Sequence, residues 1–231
     1  MRTKKLLITA LLISYAPVFA ELDPAEHYQK EASRWVGEMQ RFHEADEETA
    51  SVEDAILVIG SSSIRLWESI DEDLAPLPVI KRAFGGAKIS DVAVYADQLI
   101  APHDCRAVVF FIGAKDACGK PDDKTPEQLC LLANYLVKKV HEHHGDVPVT
   151  FMEITPSPAR VHLQNEVGQL NCVLRAVCSA SQNVYWLSTR EGFLKEGEPR
   201  PKLFARDRLH LSPEGYAVWT TLLNRHLEEV L

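Results

Sequence analysis

Ala55-Ile56-Leu57-Val58-Ile59-Gly60-Ser61-Ser62-Ser63 is the stretch on which the fold turns. Five apolar residues in a row, rich in β-branching and too short for a helix, read as a strand buried on both faces, and the Gly and three Ser that follow read as a tight exit turn. Similar runs recur down the chain at Val79–Phe84, Ala107–Ile112, Val147–Ile154 and Asn183–Leu187. The segments between them are amphipathic. Ile89–Ile100, Pro126–His144 and Ala159–Ala180 carry apolar residues at helical spacing, and Ser212-Pro213-Glu214 opens a last helix running to Leu231. A lead-in helix over Pro24–Glu47 offers Trp35, Met39 and Phe42 for packing on the sheet edge. Five strands separated by helical crossovers predict an α/β chain, a three-layer α/β/α sandwich around a five-stranded parallel sheet.

The chain has 231 residues, 46% apolar and 25% charged, enough length and apolar content for a sizeable core. Its first twenty residues stand apart. Arg2, Lys4 and Lys5 precede an apolar run from Leu6 to Phe19, and Val18-Phe19-Ala20 places small residues where a signal peptidase reads, so export with cleavage after Ala20 is expected. The run is too short for a membrane anchor and is interrupted by Pro17. Those twenty residues hold three of the 25 Lys and Arg and none of the 33 Asp and Glu, which leaves the remainder at a net −11. Such a surface repels phosphate backbones and anionic lipid, which argues against nucleic acid as a partner. No repeat or linker divides residues 21–231, so one domain is expected there.

In a doubly wound sheet, ligands bind beyond the carboxyl ends of the strands. Gly60-Ser61-Ser62-Ser63, Gly85-Gly86 and Gly113-Ala114-Lys115-Asp116 all fall at such ends, and Asp207-Arg208-Leu209-His210 stands just before the final helix. A serine in a strand-to-helix turn can attack a substrate while its N–H faces the developing charge, although serine there also serves as a plain helix cap. The Asp207-to-His210 spacing changes the balance, because a carboxylate three residues before an imidazole can fix its tautomer and leave the other nitrogen free to accept a serine proton.

These four blocks, in this order, resemble the SGNH or GDSL-type hydrolase family. Gly60-Ser61-Ser62 with Ile64-Arg65-Leu66-Trp67 is similar to the first block and Phe84-Gly85-Gly86-Ala87-Lys88-Ile89-Ser90-Asp91 to the second. The resemblance extends from about Trp35 to the C-terminus and includes Pro156-Ser157-Pro158-Ala159-Arg160. It implies a flavodoxin-like fold, Ser62 as nucleophile, His210 as general base, Asp207 as its orienter, and an oxyanion hole from the Ser62 and Gly86 N–H groups with a side-chain amide of the third block. It also implies an esterase acting on a lipid or O-acetylated carbohydrate ester or another small molecule, with no metal or cofactor. The chain departs from the pattern where the family has Asn, since Lys115 stands there. An ammonium can serve as a donor, but its stem is long, it disfavours a neighbouring imidazolium, and Asp116 could draw it aside. Three outcomes stay open: an altered but working hole, an impaired enzyme, or a noncatalytic ligand-binding protein on the same scaffold.

Other features carry less. Cys118 and Cys130 could close a short loop in an oxidising compartment, and the odd count of five leaves at least one thiol unpaired. Cys172 and Cys178 fall on different helix faces, and a buried apolar thiol stays open as the reading of any of the five. His141-Glu142-His143-His144 is metal-capable in composition, but it sits at a helix end where histidines suit the dipole. Trp67, Trp186 and Trp219 could line an apolar pocket, with core packing the better reading for the latter two.

Overall fold

The structure, a computed structural model, describes residues 23–48 and 52–231; the expected export segment, 1–20, lies outside the described residues. The chain opens with helix α1 (Pro24–Ala32), a 3₁₀ turn at Ser33–Trp35 and α2 (Val36–Glu48). Strand β1 (Ala55–Gly60) leads into the one-turn helices α3 (Ser62–Arg65) and α4 (Ile70–Asp73), then β2 (Val79–Ala83), α5 (Ile89–Val94) and α6 (Ala96–Ile100). Next come β3 (Cys105–Phe111), α7 (Pro126–His144), β4 (Val149–Met152), α8 (Gln164–Ala180) and β5 (Val184–Leu187). A short α9 (Arg190–Phe193), the hairpin β6 (Leu194–Lys195) and β7 (Glu198–Pro199), and the final helix α10 (Pro213–Val230) complete the order.

The five long strands pair in parallel in the order β2-β1-β3-β4-β5, the flavodoxin-like arrangement. Each residue of β1 is buried, and alternate side chains enter different cores, as a period of two requires. Leu57 and Ile59 face a core closed by α5 to α8, whereas Ile56 and Val58 face one closed by α10 and the short helices. The same division holds in β3, where Val108 and Phe110 look one way and Val109 and Phe111 the other. Each fully buried Leu, Ile or Phe contributes about 1.5–3 kcal/mol. The apolar runs of the sequence are therefore uninterrupted because both faces of the sheet are dry.

Three expected helices are broken, the first being the lead-in over Pro24–Glu47, which the 3₁₀ turn at Ser33–Trp35 divides into α1 and α2. Ile89–Ile100 divides at Tyr95 (φ −103°, ψ 17°), and the hydroxyl of this buried tyrosine donates to the Ala32 carbonyl at 2.9 Å, tying the break to the end of α1. The span from Ala159 begins as a 3₁₀ segment, Pro158–Leu163, with non-helical Arg160 inside it. Helix α7 keeps its expected ends: Thr125 accepts from the Gln128 N–H, Gln128 accepts from the Thr125 N–H, Pro126 occupies the first turn, and Gly145 terminates it. Trp67 is a correction, because it belongs to the core and not to a pocket wall. It is completely buried, donates to Asp73 Oδ2 at 2.6 Å and stacks on Tyr216 at 5.5 Å between ring centres. Trp219 is likewise buried, and Trp186 packs half-buried on the sheet. All five cysteines are free thiols, so the Cys118–Cys130 loop closure is not formed. Among the described residues no helix is long and apolar enough to cross a membrane.

Candidate active site

The strand order reverses between β1 and β3, and the polar residues expected at strand ends converge there. Gly60 ends β1 at a point with no room for a side chain: a Cβ would lie 2.5 Å from Ile64 Cγ1 and 2.8 Å from the Phe111 carbonyl oxygen. The tight exit turns Ser61 inward, buried, and leaves Ser62 half-exposed as the first residue of α3. From the other end of the chain, residues 204–211 fold into a closed loop. Ala205 N–H donates to the His210 carbonyl at 2.8 Å, Arg208 N–H to the Ala205 carbonyl at 2.9 Å, and Arg208 adopts φ +62°. Asp207 Oδ1 accepts from the Leu209 and His210 N–H groups, each at 3.0 Å. Tyr216, one turn into α10, donates to the Ser63 carbonyl at 2.8 Å and so locks the loop's helix onto the serine turn.

These contacts bring Ser62, His210 and Asp207 into one row. His210 Nδ1 lies 2.5 Å from Asp207 Oδ2, and Nε2 lies 2.9 Å from Ser62 Oγ. Because a carboxylate only accepts, Nδ1 carries the proton and Nε2 is the acceptor for the serine hydroxyl. Partial burial pushes the Asp207 carboxyl upward, yet the Leu209 N–H, the His210 ring and the His210 N–H outweigh it and hold the group below its ordinary value. Asp207 therefore stays ionised beside the imidazole. The three adjacent serines are not equivalent: only Ser62 meets the histidine.

The expected oxyanion donors are unequal too. The Ser62 N–H heads α3 and has no acceptor among the described residues. Gly86, at φ +88° in a conformation few side chains tolerate, directs its N–H toward the serine turn, where it donates to Ser61 Oγ at 3.2 Å. One donor is thus free, and the other is held by a neutral hydroxyl that a developing negative charge would have to displace. Lys115 is half-buried at the end of β3, and among the described residues its amine makes no hydrogen bond or ion pair. Asp116 does not draw it aside. That carboxylate is buried, accepts the Ile89 N–H at 3.0 Å, and has Lys124 and Lys88 as its cationic neighbours.

Sequence reasoning missed two further contacts. Ser61 capturing the Gly86 N–H is one. The other is Arg160, whose guanidinium donates to the Ala114 carbonyl and braces the loop that carries Lys115; its place in Pro-Ser-Pro-Ala-Arg after β4 was the available signal. Arg160 also helps line a cavity of about 30 Å³ behind the row, with Ser63, Thr155, Ser157 and Leu209. Ser157 Oγ is buried there without a partner among the described residues, and the space suits one water. Two of the three histidines of 141–144 are engaged elsewhere, His143 Nε2 with Asp97 at 2.7 Å and His144 Nε2 with the Ile100 carbonyl at 3.0 Å, pinning α7 to α6. His141 Nε2 is buried without a partner among the described residues.

A 2-1-3-4-5 parallel sheet with a serine–histidine–aspartate row beyond its strand ends defines the class of SGNH-type hydrolases. The chain belongs to the GDSL-like lipase/acylhydrolase family, whose model matches residues 60–218. That span begins later than the resemblance read from the sequence, which started near Trp35, and it contains all four blocks. No curated protein matches the chain. Among solved structures it resembles a GDSL-like lipase from Bacteroides thetaiotaomicron (14% identity, TM-score 0.69, 84% of this chain and 98% of that one). It also resembles the lipase/acylhydrolase from Enterococcus faecalis (18%, 0.64, 76% and 96%) and an acetyl xylan esterase from Geobacillus stearothermophilus (14%, 0.63, 77% and 95%). At these identities the likeness is one of fold.

Proposed function

We propose that the protein is an exported serine esterase, with residues 21–231 as one catalytic domain, cleaving carboxylic esters of lipids or O-acetylated carbohydrates through an acyl-enzyme. The observation that carries this reading is the row Ser62–His210–Asp207, joined across 148 residues of chain at 2.9 and 2.5 Å. Ser62 Oγ attacks the acyl carbonyl as His210 Nε2 takes its proton. The oxyanion is received by the Ser62 N–H and by the Gly86 N–H, which exchanges Ser61 Oγ for the stronger, charged acceptor. His210 then protonates the departing alkoxide, and a water activated by the same nitrogen releases the acid. Export is supported by the basic start and the apolar run from Leu6 to Phe19.

Hydrolysis of 4-nitrophenyl acetate by the protein and by Ser62→Ala tests the reading. The expected loss is about 10³-fold or more. A rate unchanged by the substitution would place the activity outside this site, and no turnover by the unsubstituted protein would favour the noncatalytic alternative.

A further inference from the structure

The chain is strongly acidic, yet the segments that build the serine site carry several cations that form no ion pair among the described residues. Many basic residues elsewhere pair: Arg34 with Asp91, Arg82 with Asp46, Lys88 with Asp122, Arg106 with Asp54, Lys139 with Asp97 and Arg190 with Glu153. Others such as Lys120, Arg175 and Arg225 are unpaired among the described residues, so it is position and not pairing alone that sets the next four apart. Arg65, Lys115, Arg160 and Arg208 have no ion pair among the described residues. All four are tied to the serine site by backbone placement or direct contact. Arg65 closes α3, whose first residue is Ser62, and its Nε sits 3.0 Å from where a Cβ on Gly85 would be, so the guanidinium covers the turn that presents the Gly86 N–H. Arg160 braces the Ala114 carbonyl next to Lys115 and lines the cavity shared with Ser63 and Leu209. Arg208 stands two residues before His210, exposed at φ +62°, and its carbonyl accepts the Ala159 N–H at 3.0 Å, which sets it against the Arg160 segment.

The carboxylates on this side do not cancel the four cations. Asp207 is committed to His210 and two backbone N–H groups, and Asp116 is buried on the Ile89 N–H. Glu68, exposed three residues after Arg65, lies near the Tyr216 hydroxyl as Arg65 does and forms no ion pair among the described residues, so it offsets one charge of the four. The geometry points to a cationic rim around the nucleophile that selects esters bearing an anionic group, a carboxylate or a phosphate, near the scissile carbonyl. This inference rests on the esterase reading above and names the substrate class for the same site. Guanidinium groups recognise both anions in bidentate fashion, and a rim of one sign focuses the field over a cleft. The acidic remainder of the surface repels the same substrate, so productive encounter is confined to the rim.

Three acetyl esters that differ in charge test it: 4-acetoxybenzenesulfonate, methyl 4-acetoxybenzoate and (4-acetoxyphenyl)trimethylammonium, each rate normalised to hydrolysis by hydroxide. The expected order of kcat/KM is anionic, neutral, cationic, with the anion favoured over the neutral ester by about tenfold at low ionic strength. In about 0.5 M NaCl the preference falls to within about twofold. Arg65→Glu and Arg208→Glu each lower the ratio of anionic to neutral kcat/KM, whereas Lys115→Arg keeps it and Lys115→Gln reduces it by about threefold. A second comparison sets O-acetylated galacturonate against O-acetylated galactose, and acetylated glycerol phosphate against glycerol acetate; the pair showing a gain identifies a sugar carboxylate or a phosphate as the natural anion. Hydrolysis that depends on Ser62 but ignores charge and salt, with no gain in either pair, overturns the rim and leaves the esterase standing. No hydrolysis that depends on Ser62 overturns both.

Discussion

Asp207, in the loop before α10, and Asp116, in the loop after β3, both accept backbone N–H, yet their surroundings divide their chemistry. Asp207 has its side chain about half exposed (49%), receives two N–H bonds and an imidazole, and is held ionised. Asp116 is almost wholly enclosed (1%), receives one N–H, and has Oδ1 without a partner among the described residues. Burial raises its carboxyl to about 7 despite the Ile89 N–H and the nearby Lys124 and Lys88. The first corner is built for a charge that acts, the second for a carboxyl that holds the loop after β3 in place. The neighbours follow suit: His210 is fixed by two contacts, while Lys115 has none among the described residues.

The largest way to break this contrast is at the first corner. His210→Ala should lower kcat/KM on a neutral acetyl ester by about 10³- to 10⁴-fold, and Asp207→Asn by about 10²-fold or more, because an amide can stabilise the wrong tautomer. Steady-state kinetics checks both, and an Asp207→Asn enzyme near full activity would mean the carboxylate orients nothing. The second corner is expected to show itself in stability. A carboxyl raised in the folded state binds its proton more tightly there than in the unfolded chain, so its stabilising share is complete below about pH 4 and is lost as pH rises toward 7. Asp116→Asn lacks that loss. Its stability relative to the parent should improve between pH 5 and pH 8 by about 2 kcal/mol, read from paired denaturant melts, and a difference independent of pH would refute the buried, raised carboxyl.

Smaller effects sharpen the account of the donors. An ammonium without a fixed contact is not a preorganised donor, so Lys115→Met should change turnover of a neutral ester by less than about threefold, while Lys115→Asn, which offers a short amide, should raise it by about tenfold. A large loss in both variants would make the ammonium a working part of the hole. Ser61→Ala should raise kcat by no more than about fivefold, since it removes a neutral hydrogen bond of about 1 kcal/mol that the Gly86 N–H must otherwise exchange for the oxyanion. A loss of activity would instead show that the Ser61 hydroxyl holds the Gly86 turn in its useful orientation.

Much of this was legible in the chain because the relevant signals are local. Uninterrupted runs such as Ala55–Ile59 announce strands covered on both faces, and the three-residue spacing from Asp207 to His210 fits inside one turn. The break at Tyr95 was not legible, because it accompanies a hydroxyl reaching a carbonyl 63 residues away. The same limit hid Ser61 on Gly86 and Arg160 on Ala114, contacts between loops at different strand ends. Trp67 misled for a related reason: an aromatic beside a candidate nucleophile reads as pocket wall, whereas the packing of α10 turned it into core against Tyr216 and Trp219.

Three consecutive serines make the central claim unusually open to a direct test. After brief reaction with a fluorophosphonate, peptide mass spectrometry should find a single adduct, on Ser62, and none after His210→Ala. An adduct on Ser61 or Ser63, or labelling that persists without His210, would contradict the account.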